Sequence, residues 1–316
     1  MLANPKISVI ILIYNAEEYI EKCVESLLAQ TLDSIEYIFV NDCSTDKSIE
    51  RLRSVIQRYP ERNDSIVILE NEQNSGQAFS RIKGITAASG EYVIACDSDD
   101  YLPRDAYEIL YDHINANQSD IVACDFYRVT DSKQVIEASD CIDTSREWIR
   151  NLLLSRKMGA LWCHLIRRSL LKDIVKPVGN IMEDVVILIQ ALLKSDKVST
   201  IHTPLYYYVQ RQNSITNNRD KTSCQISEMT VNMDILSKII TNTDVSFKDE
   251  LDYKRFFIKR WSLPLVDSPQ NCNYWIRIQP EINKRIFFNP YISFKDKLVS
   301  TLIFMRLYPL IKEFTK

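Results

Sequence analysis

Three carboxylates are crowded into Asp97-Ser98-Asp99-Asp100, directly after the apolar run Tyr92 to Cys96. At the end of a buried strand such groups repel one another, and they are costly to desolvate unless a cation sits among them. Mg²⁺ or Mn²⁺ carrying a diphosphate meets that demand: these ions take oxygen ligands, and one or two carboxylates commonly hold them while phosphate and water fill the remaining positions. The plainer alternative is a solvated acidic turn ahead of a helix starting near Arg104, where carboxylates gain roughly a few tenths of a kcal/mol from the helix dipole. A second acidic pair, Glu183-Asp184, opens an amphipathic stretch with Val185, Leu188, Ile189 and Leu192 on its apolar face. Taken alone, that pair is better explained as first-turn carboxylates that favour the helix dipole than as catalytic groups.

The elements that must position these groups alternate in type. Ile7 to Ile13 is an apolar, β-branched strand, followed by a loop and the helical pattern Tyr19, Cys23, Leu27, Leu28. The unit repeats as Ile35 to Val40 with a helix carrying Ile49, Leu52, Val55 and Ile56. It repeats again as Ile66 to Leu69, with a helix over Ala78 to Ala88, and Tyr92 to Cys96 supplies a fourth strand. Strands apolar throughout and separated by helices predict a parallel sheet covered on both faces, with ligands at the carboxyl ends of the strands. Polar clusters fall at those ends: Tyr14-Asn15, Asp42 to Asp46, Asn71 to Gly76 and the DSDD. Ser44-Thr45-Asp46 also reads simply as a cap for a helix at Lys47.

Composition narrows the field. The chain has 316 residues, 46% of them hydrophobic, and its 39 basic and 42 acidic residues give a formal charge of −3. That is enough for a sizeable core and carries no global basic field to attract nucleic acid. Eight cysteines, Cys141 among them, show no CxxC pair, a pattern expected of buried thiols in a reducing cytoplasm. Neither GxGxxG after the first strand nor GxxxxGK[ST] is present, so dinucleotide and P-loop folds are not supported. With five glycines in all, phosphate is expected to be held by metal and side chains.

The ordered pieces ISVIILIYNAEEYIEKCVESLLAQTL, FVNDCSTDKS, NEQNSGQAFSRIKGITAASGEYV, DSDD, GNIMEDVVILIQALLKSDKV and PLYYYVQRQNSIT, spread over residues 5 to 216, resemble the family 2 glycosyltransferases. The resemblance implies an α/β, Rossmann-like GT-A fold: a mostly parallel central sheet flanked by helices, using a nucleotide-diphosphate sugar, with UDP-sugar the expected donor. It implies that Tyr14 packs on the base, Asp42 accepts from base or ribose, and Arg81 reaches the base or diphosphate. Asp97 would lie toward the ribose, Asp99 would bind the metal, and Glu183-Asp184 would be the family's acidic pair, with Asp184 the general base. Such a base takes the proton of an attacking hydroxyl opposite the leaving diphosphate, whose growing charge a metal offsets as Lewis acid. Arg211, just past the Tyr206-Tyr207-Tyr208 strand, is either a bidentate diphosphate clamp or a surface residue.

Three departures stand out. Asn41-Asp42-Cys43 replaces the family's common Asp-Asp-Gly turn, Ile82 follows Arg81 where Asn is usual, and Cys163-His164 replaces an Asn-Lys pair. The last lies in the acceptor half, so Trp162 and His164 are candidate acceptor contacts, the alternative being a packed structural histidine.

From Cys224 onward helical spacing takes over, giving an expected division into a transferase domain (1–220, with halves at about 1–125 and 126–220) and a helical appendage (221–316). Lys295 to Lys316 reads as one basic amphipathic helix, suited to an anionic membrane surface, to the protein's own core or to a second subunit. Expected partners are therefore a nucleotide-sugar donor, a saccharide or lipid-linked acceptor, and either a membrane surface or a second copy. The expected location is cytoplasmic, peripheral on the inner face of the membrane. Two other readings stand beside glycosyl transfer in polysaccharide assembly. A sugar nucleotidyltransferase lacks support because Tyr14-Asn15-Ala16-Glu17 stands where a glycine-and-basic phosphate loop is needed; a silent binding subunit is disfavoured by the intact DSDD and Glu183-Asp184.

Overall fold

A computed structural model describes residues 4–130, 132–138, 144–211, 222–243 and 247–311. The boundary expected at 220, Cys141, residues 212–216 of the last motif, and Lys312 and Lys316 of the basic tail lie outside the described residues. The chain divides into two compact units: Met1–Trp148 with Gly159–Ile215, and Ile149–Met158 with Thr216–Lys316.

In the first unit the elements run β1 (Ile7–Ile13), α1 (Ile20–Leu28), β2 (Ile35–Asn41), α2 (Ser48–Ile56), β3 (Ile66–Glu70), α3 (Gln77–Ala87), β4 (Tyr92–Asp97) and α4 (Ala106–Asn117). There follow β5 (Ile121–Val129), β6 (Gln134–Glu137), α5 (Ser145–Leu153), which begins in this unit and ends in the second, β7 (His164–Arg167), α6 (Glu183–Lys194) and β8 (Val198–Val209). The sheet order is β3-β2-β1-β4-β7-β5-β6, with β8 also on β5. The first four strands are parallel, β7 is antiparallel to both β4 and β5, and β8 lies parallel to β5. This is the GT-A arrangement of a mostly parallel sheet between helices. β2 is buried along its whole length and β1 along nearly all of it, which is why both read as unbroken apolar runs rather than alternating ones.

Parallel pairing puts the ends of β1, β2 and β4 in line, with Ile13 opposite Asn41 and Leu12 opposite Asp97. The loops after them are knitted by side chains. Ser48 Oγ accepts from Ala16 N–H at 2.7 Å, Asp46 accepts from Glu17 N–H at 3.0 Å, and Asn15 accepts from Thr45 N–H at 2.9 Å. Asp46 also accepts from Ser48 N–H at 3.0 Å. Ser44, Thr45 and Asp46 thus join two loops, and no side chain caps the start of α2 at Lys47.

The second unit holds α7 (Thr222–Thr243), α8 (Lys248–Trp261), α9 (Pro269–Arg277), α10 (Phe294–Phe304) and α11 (Tyr308–Ile311). It has its own core of Phe256, Val266, Cys272, Trp275, Ile282, Ile286, Ile292, Ile303 and Tyr308. The single helix expected from Lys295 onward is corrected here: α10 stops at Phe304. Arg306 turns left-handed at φ 62°, Arg306 N–H donates to Ile303 O at 2.9 Å and Leu307 N–H to Leu302 O at 2.8 Å. That paired closure is a Schellman motif, and Pro309 beyond it has no N–H with which to continue the helix. No described helix is long and apolar enough to cross a membrane.

Gly90 fixes how closely the α3–β4 turn lies on β1. Its N–H donates to Ser8 Oγ at 2.8 Å, and a Cβ there would sit 2.7 Å from Ser8 N and 2.9 Å from the Ile7 carbonyl carbon. Backbone cannot step aside as a side-chain tip can. Gly90→Ala is expected to cost about 1–3 kcal/mol, the usual range for overpacking. In urea titration this appears as a lower midpoint at unchanged slope.

Candidate active site

One buried guanidinium organises the carboxylates. Arg81, on α3, lies with Nε 3.0 Å from Asp184 Oδ1, and with Nη2 3.6 Å from Glu183 Oε1 and 3.9 Å from Asp97 Oδ1. α3 and α6 are packed so that the sequence-distant acidic groups meet on it. Arg81, expected to reach the base or diphosphate, is instead turned inward onto these three acids, because a buried cation needs countercharge more than it needs reach.

A single positive charge cannot neutralise three ionised carboxylates, and one proton halves the excess. Burial, and then the neighbouring Asp184 charge, push the Glu183 carboxyl up to about 8 against the pull of Arg81. Glu183 is thus protonated at neutral pH. Burial raises Asp97 as well, against Arg81. Asp184 has a side chain 20% exposed and accepts a long bond from Leu161 N–H at 3.4 Å. It is the more exposed acid of the pair.

Asp97, Asp99 and Asp100 offer carboxylate oxygens within 4.8 Å of one another, yet they are not equivalent. Asp100 is buried, and its two oxygens accept from Tyr206 O–H and Val209 N–H, both at 2.7 Å. The same phenol oxygen accepts from Asp97 N–H at 3.0 Å. Asp100 therefore pins β8 to the end of β4, and Asp97 and Asp99 stay partly exposed. Carboxylate oxygens gathered this closely are hard donors of the kind that suit Mg²⁺ or Mn²⁺. Arg211, two residues past β8, pairs with Asp99 and lies 4.3 Å over the Tyr19 ring.

Other expected residues take up varied positions. Tyr14 stands just past β1 and is 51% exposed. Asp42 is buried and accepts from Asn71 Nδ2 at 2.8 Å, Ser75 N–H at 2.7 Å and Gly76 N–H at 2.9 Å, so it holds the β3–α3 loop. The neighbouring Cys43 has φ 62°: the left-handed turn for which the family commonly has glycine persists here with a side chain in it, at a cost of about 1–2 kcal/mol. Trp162 and His164, candidate acceptor contacts, require correction, because both are packed inside. Trp162 stacks on Tyr206 at 4.4 Å and meets Phe126 edge-on at 4.8 Å. His164 places Nδ1 2.6 Å from Ala160 O and its ring 5.3 Å from Trp148; burial lowers it to about 4, so it stays neutral. An apolar pocket without a countercharge accounts for this.

Sequence reasoning missed Tyr206, Asp100 and Asn180 as positioning groups. Asn180 Oδ1 accepts from Gln77 N–H at 2.8 Å and Gly179 O from Ala78 N–H at 3.0 Å, which ties the loop before α6 to the first turn of α3. The strand period supplied a signal for Tyr206: in Tyr206-Tyr207-Tyr208 the outer two share a face, where both stack on Trp162, while Tyr207 stacks between Tyr101 and Tyr127.

A Rossmann-like sheet with acidic groups gathered at the ends of its parallel strands defines a GT-A nucleotide-sugar enzyme. The family model for glycosyl transferase family 2 matches residues 8–175, and the chain belongs to that family; it is a glycosyltransferase. It is 29% identical over 269 residues to the cholesterol galactosyltransferase of Borreliella burgdorferi, covering 80% of this chain and 73% of that one. It is 31% identical over 228 residues to the glycosyltransferase GlyA of Streptococcus pneumoniae, covering 68% of this chain but only 32% of GlyA. In fold it is similar to residues 1–349 of Staphylococcus aureus TarS in complex with UDP-GlcNAc, with a TM-score of 0.69 at 20% identity over 98% of this chain and 90% of that one. At that identity the likeness establishes the fold alone.

The Glu183 proton carries a pH signature. Its ordinary value is 4.5, so the fold binds this proton more tightly than the unfolded chain does. The resulting stability is complete below the ordinary value and is lost as pH rises through about 8. Glu183→Gln, which keeps the shape of the protonated acid, is expected to flatten that dependence: between about pH 5 and pH 9 the native protein loses thermal stability relative to the variant. Parallel melting-temperature profiles would contradict the assignment.

Proposed function

We propose that this glycosyltransferase moves a sugar, with inversion, from a UDP-sugar to a hydroxyl of a saccharide or lipid-linked acceptor in surface-polysaccharide assembly, with a divalent metal. The observation that carries the reading is the contact of one guanidinium, that of Arg81, with both Asp97 and Asp184. It brings a donor-side carboxylate and a base-side carboxylate close enough to flank one anomeric carbon. The UDP-GlcNAc complex of TarS supports a UDP-linked donor, and the name of the Borreliella relative supports a lipid acceptor. The machinery lies within the proposed transferase domain 1–220, with 221–316 a helical region.

Each residue then has a task. Tyr14 stacks on the base. Asp42 Oδ2, which accepts one loop N–H, keeps a lone pair for base or ribose. Asp97 lies toward the ribose, and Asp99 would hold Mg²⁺ or Mn²⁺, which when bound would supply Lewis-acid stabilisation of the leaving diphosphate. Asp184 takes the proton of the acceptor hydroxyl as its oxygen bonds to the anomeric carbon, and the electrons of the breaking carbon–oxygen bond leave with the diphosphate. Arg211 exchanges Asp99 for the departing diphosphate, to which its planar fork is suited. Glu183, holding its proton, keeps the site from carrying one negative charge too many.

Two variants separate binding from chemistry. Asp184→Asn is expected to retain donor affinity while transfer falls by about a hundred- to ten-thousand-fold, the usual contribution of a general base; normal transfer by this variant, with loss in Glu183→Gln, reverses the roles of the two acids. Asp99→Ala is expected to abolish Mn²⁺-dependent binding of UDP in titration calorimetry. Undiminished metal-dependent binding by the folded variant would sink the metal assignment.

A further inference from the structure

α10 has two opposed faces. At about 100° per residue, Ser300 and Ile303 fall on the side turned into the second unit's core, and both are buried. Phe294, Leu298 and the following Met305 project within about 40° of one another on the opposite side, and all three are exposed, Phe294 at 83%. Lys295 and Lys297 flank this stripe to either side, at about 100° and −60° from Phe294. The Phe287-Phe288 corner continues the apolar surface: the Phe287 ring lies 6.1 Å from that of Phe304 in α10, and Phe288 is 87% exposed.

Two almost fully exposed phenylalanines on one helical unit are unusual for a surface that meets only water, since rings of this size dominate core and interface energetics. Charge identifies the occupant. Residues 284–311 contain five basic side chains, Lys284, Arg285, Lys295, Lys297 and Arg306, against Asp296 alone, in a chain whose overall formal charge is −3. The rest of the chain is therefore net acidic, while this segment carries a net positive charge beside its apolar stripe. An apolar stripe bordered by lysines matches an interface-parallel helix on an anionic bilayer, with the rings entering the acyl boundary and the ammonium groups at headgroup level.

We propose that the exposed face of α10 with the Phe287-Phe288 corner is a docking surface for an anionic lipid bilayer. It would hold the enzyme at the plane where a lipid-linked acceptor lies. That purpose rests on the acceptor class proposed above, whereas the binding itself does not.

The test is flotation of the full chain on vesicles of phosphatidylcholine mixed with phosphatidylglycerol, and on phosphatidylcholine alone. The native protein is expected to float with the mixed vesicles at low salt and to be released at high salt. Each of Lys295→Gln and Lys297→Gln is expected to lower the partition by about fivefold, equivalent to ~1 kcal/mol per charge near the surface. Phe288→Ser with Phe294→Ser, both at exposed positions, is expected to lower it by roughly tenfold or more while leaving UDP binding and the circular-dichroism melt unchanged. Native protein that fails to float, or floats equally with every variant, overturns the proposal. So does a native dimer in sedimentation that the phenylalanine pair converts to monomer, since the face would then belong to a second copy. Flotation by a protein that hydrolyses no nucleotide sugar would leave the docking surface standing and remove the proposed function.

Discussion

The contact of Arg81 with Asp97, Glu183 and Asp184 is the constraint on which the site depends. Removing one partner of a buried ion pair typically costs about 3–5 kcal/mol, because a charge is left without a countercharge. Here the loss would be shared among three acids drawn from β4 and α6. Burial also bears on protonation: one positive charge supports fewer than three negative ones in a region of low dielectric, so Glu183 keeps its proton beside Asp184. Two neighbouring carboxylates thereby acquire different chemistry from their surroundings alone.

A second support works from the aromatic side. Tyr206 is stacked on Trp162 and uses one phenol oxygen twice, donating to Asp100 and accepting from the Asp97 N–H. Burial of a tyrosine demands a partner for its hydroxyl, and this one meets that demand by fixing the strand end from which Asp97 and Asp99 project. Trp162 thus contributes to the site by packing. The substitution of Cys163-His164 for a polar pair accompanies this change, since a neutral, buried His164 packed against Trp148 belongs to the same apolar layer.

The helical unit solves its own electrostatic problem locally. Lys259 is fully buried, and its ammonium donates to the carbonyls of Trp275 and Ile278 while lying 4.3 Å over the Trp275 ring. Carbonyl dipoles and a π-face support the charge directly, and burial lowers the amine to about 7 against the pull of Glu281. Its outward helix face follows different logic, carrying exposed rings beside basic groups.

The sequence by itself determined the local elements. β-branched runs at Ile7 to Ile13 and Ile35 to Val40 cannot be satisfied except in a sheet buried on both faces, and the strand–helix alternation then places DSDD and Asp42 at strand ends. It also determined that Glu183-Asp184 opens a helix. Only the tertiary structure decided what these acids touch: which carboxylate stays partly exposed, which one keeps its proton, and that Arg81 turns inward, because burial and countercharge depend on segments about a hundred residues apart. The same holds for Trp162 and His164, whose types suit a binding site or a core equally until packing chooses. In the C-terminal region composition announced a basic amphipathic helix, but the Schellman closure at Arg306 and the core contact of Tyr308 divided it. Periodicity records which residues share a face; only the packed neighbours determine which face meets the core and where the helix must stop.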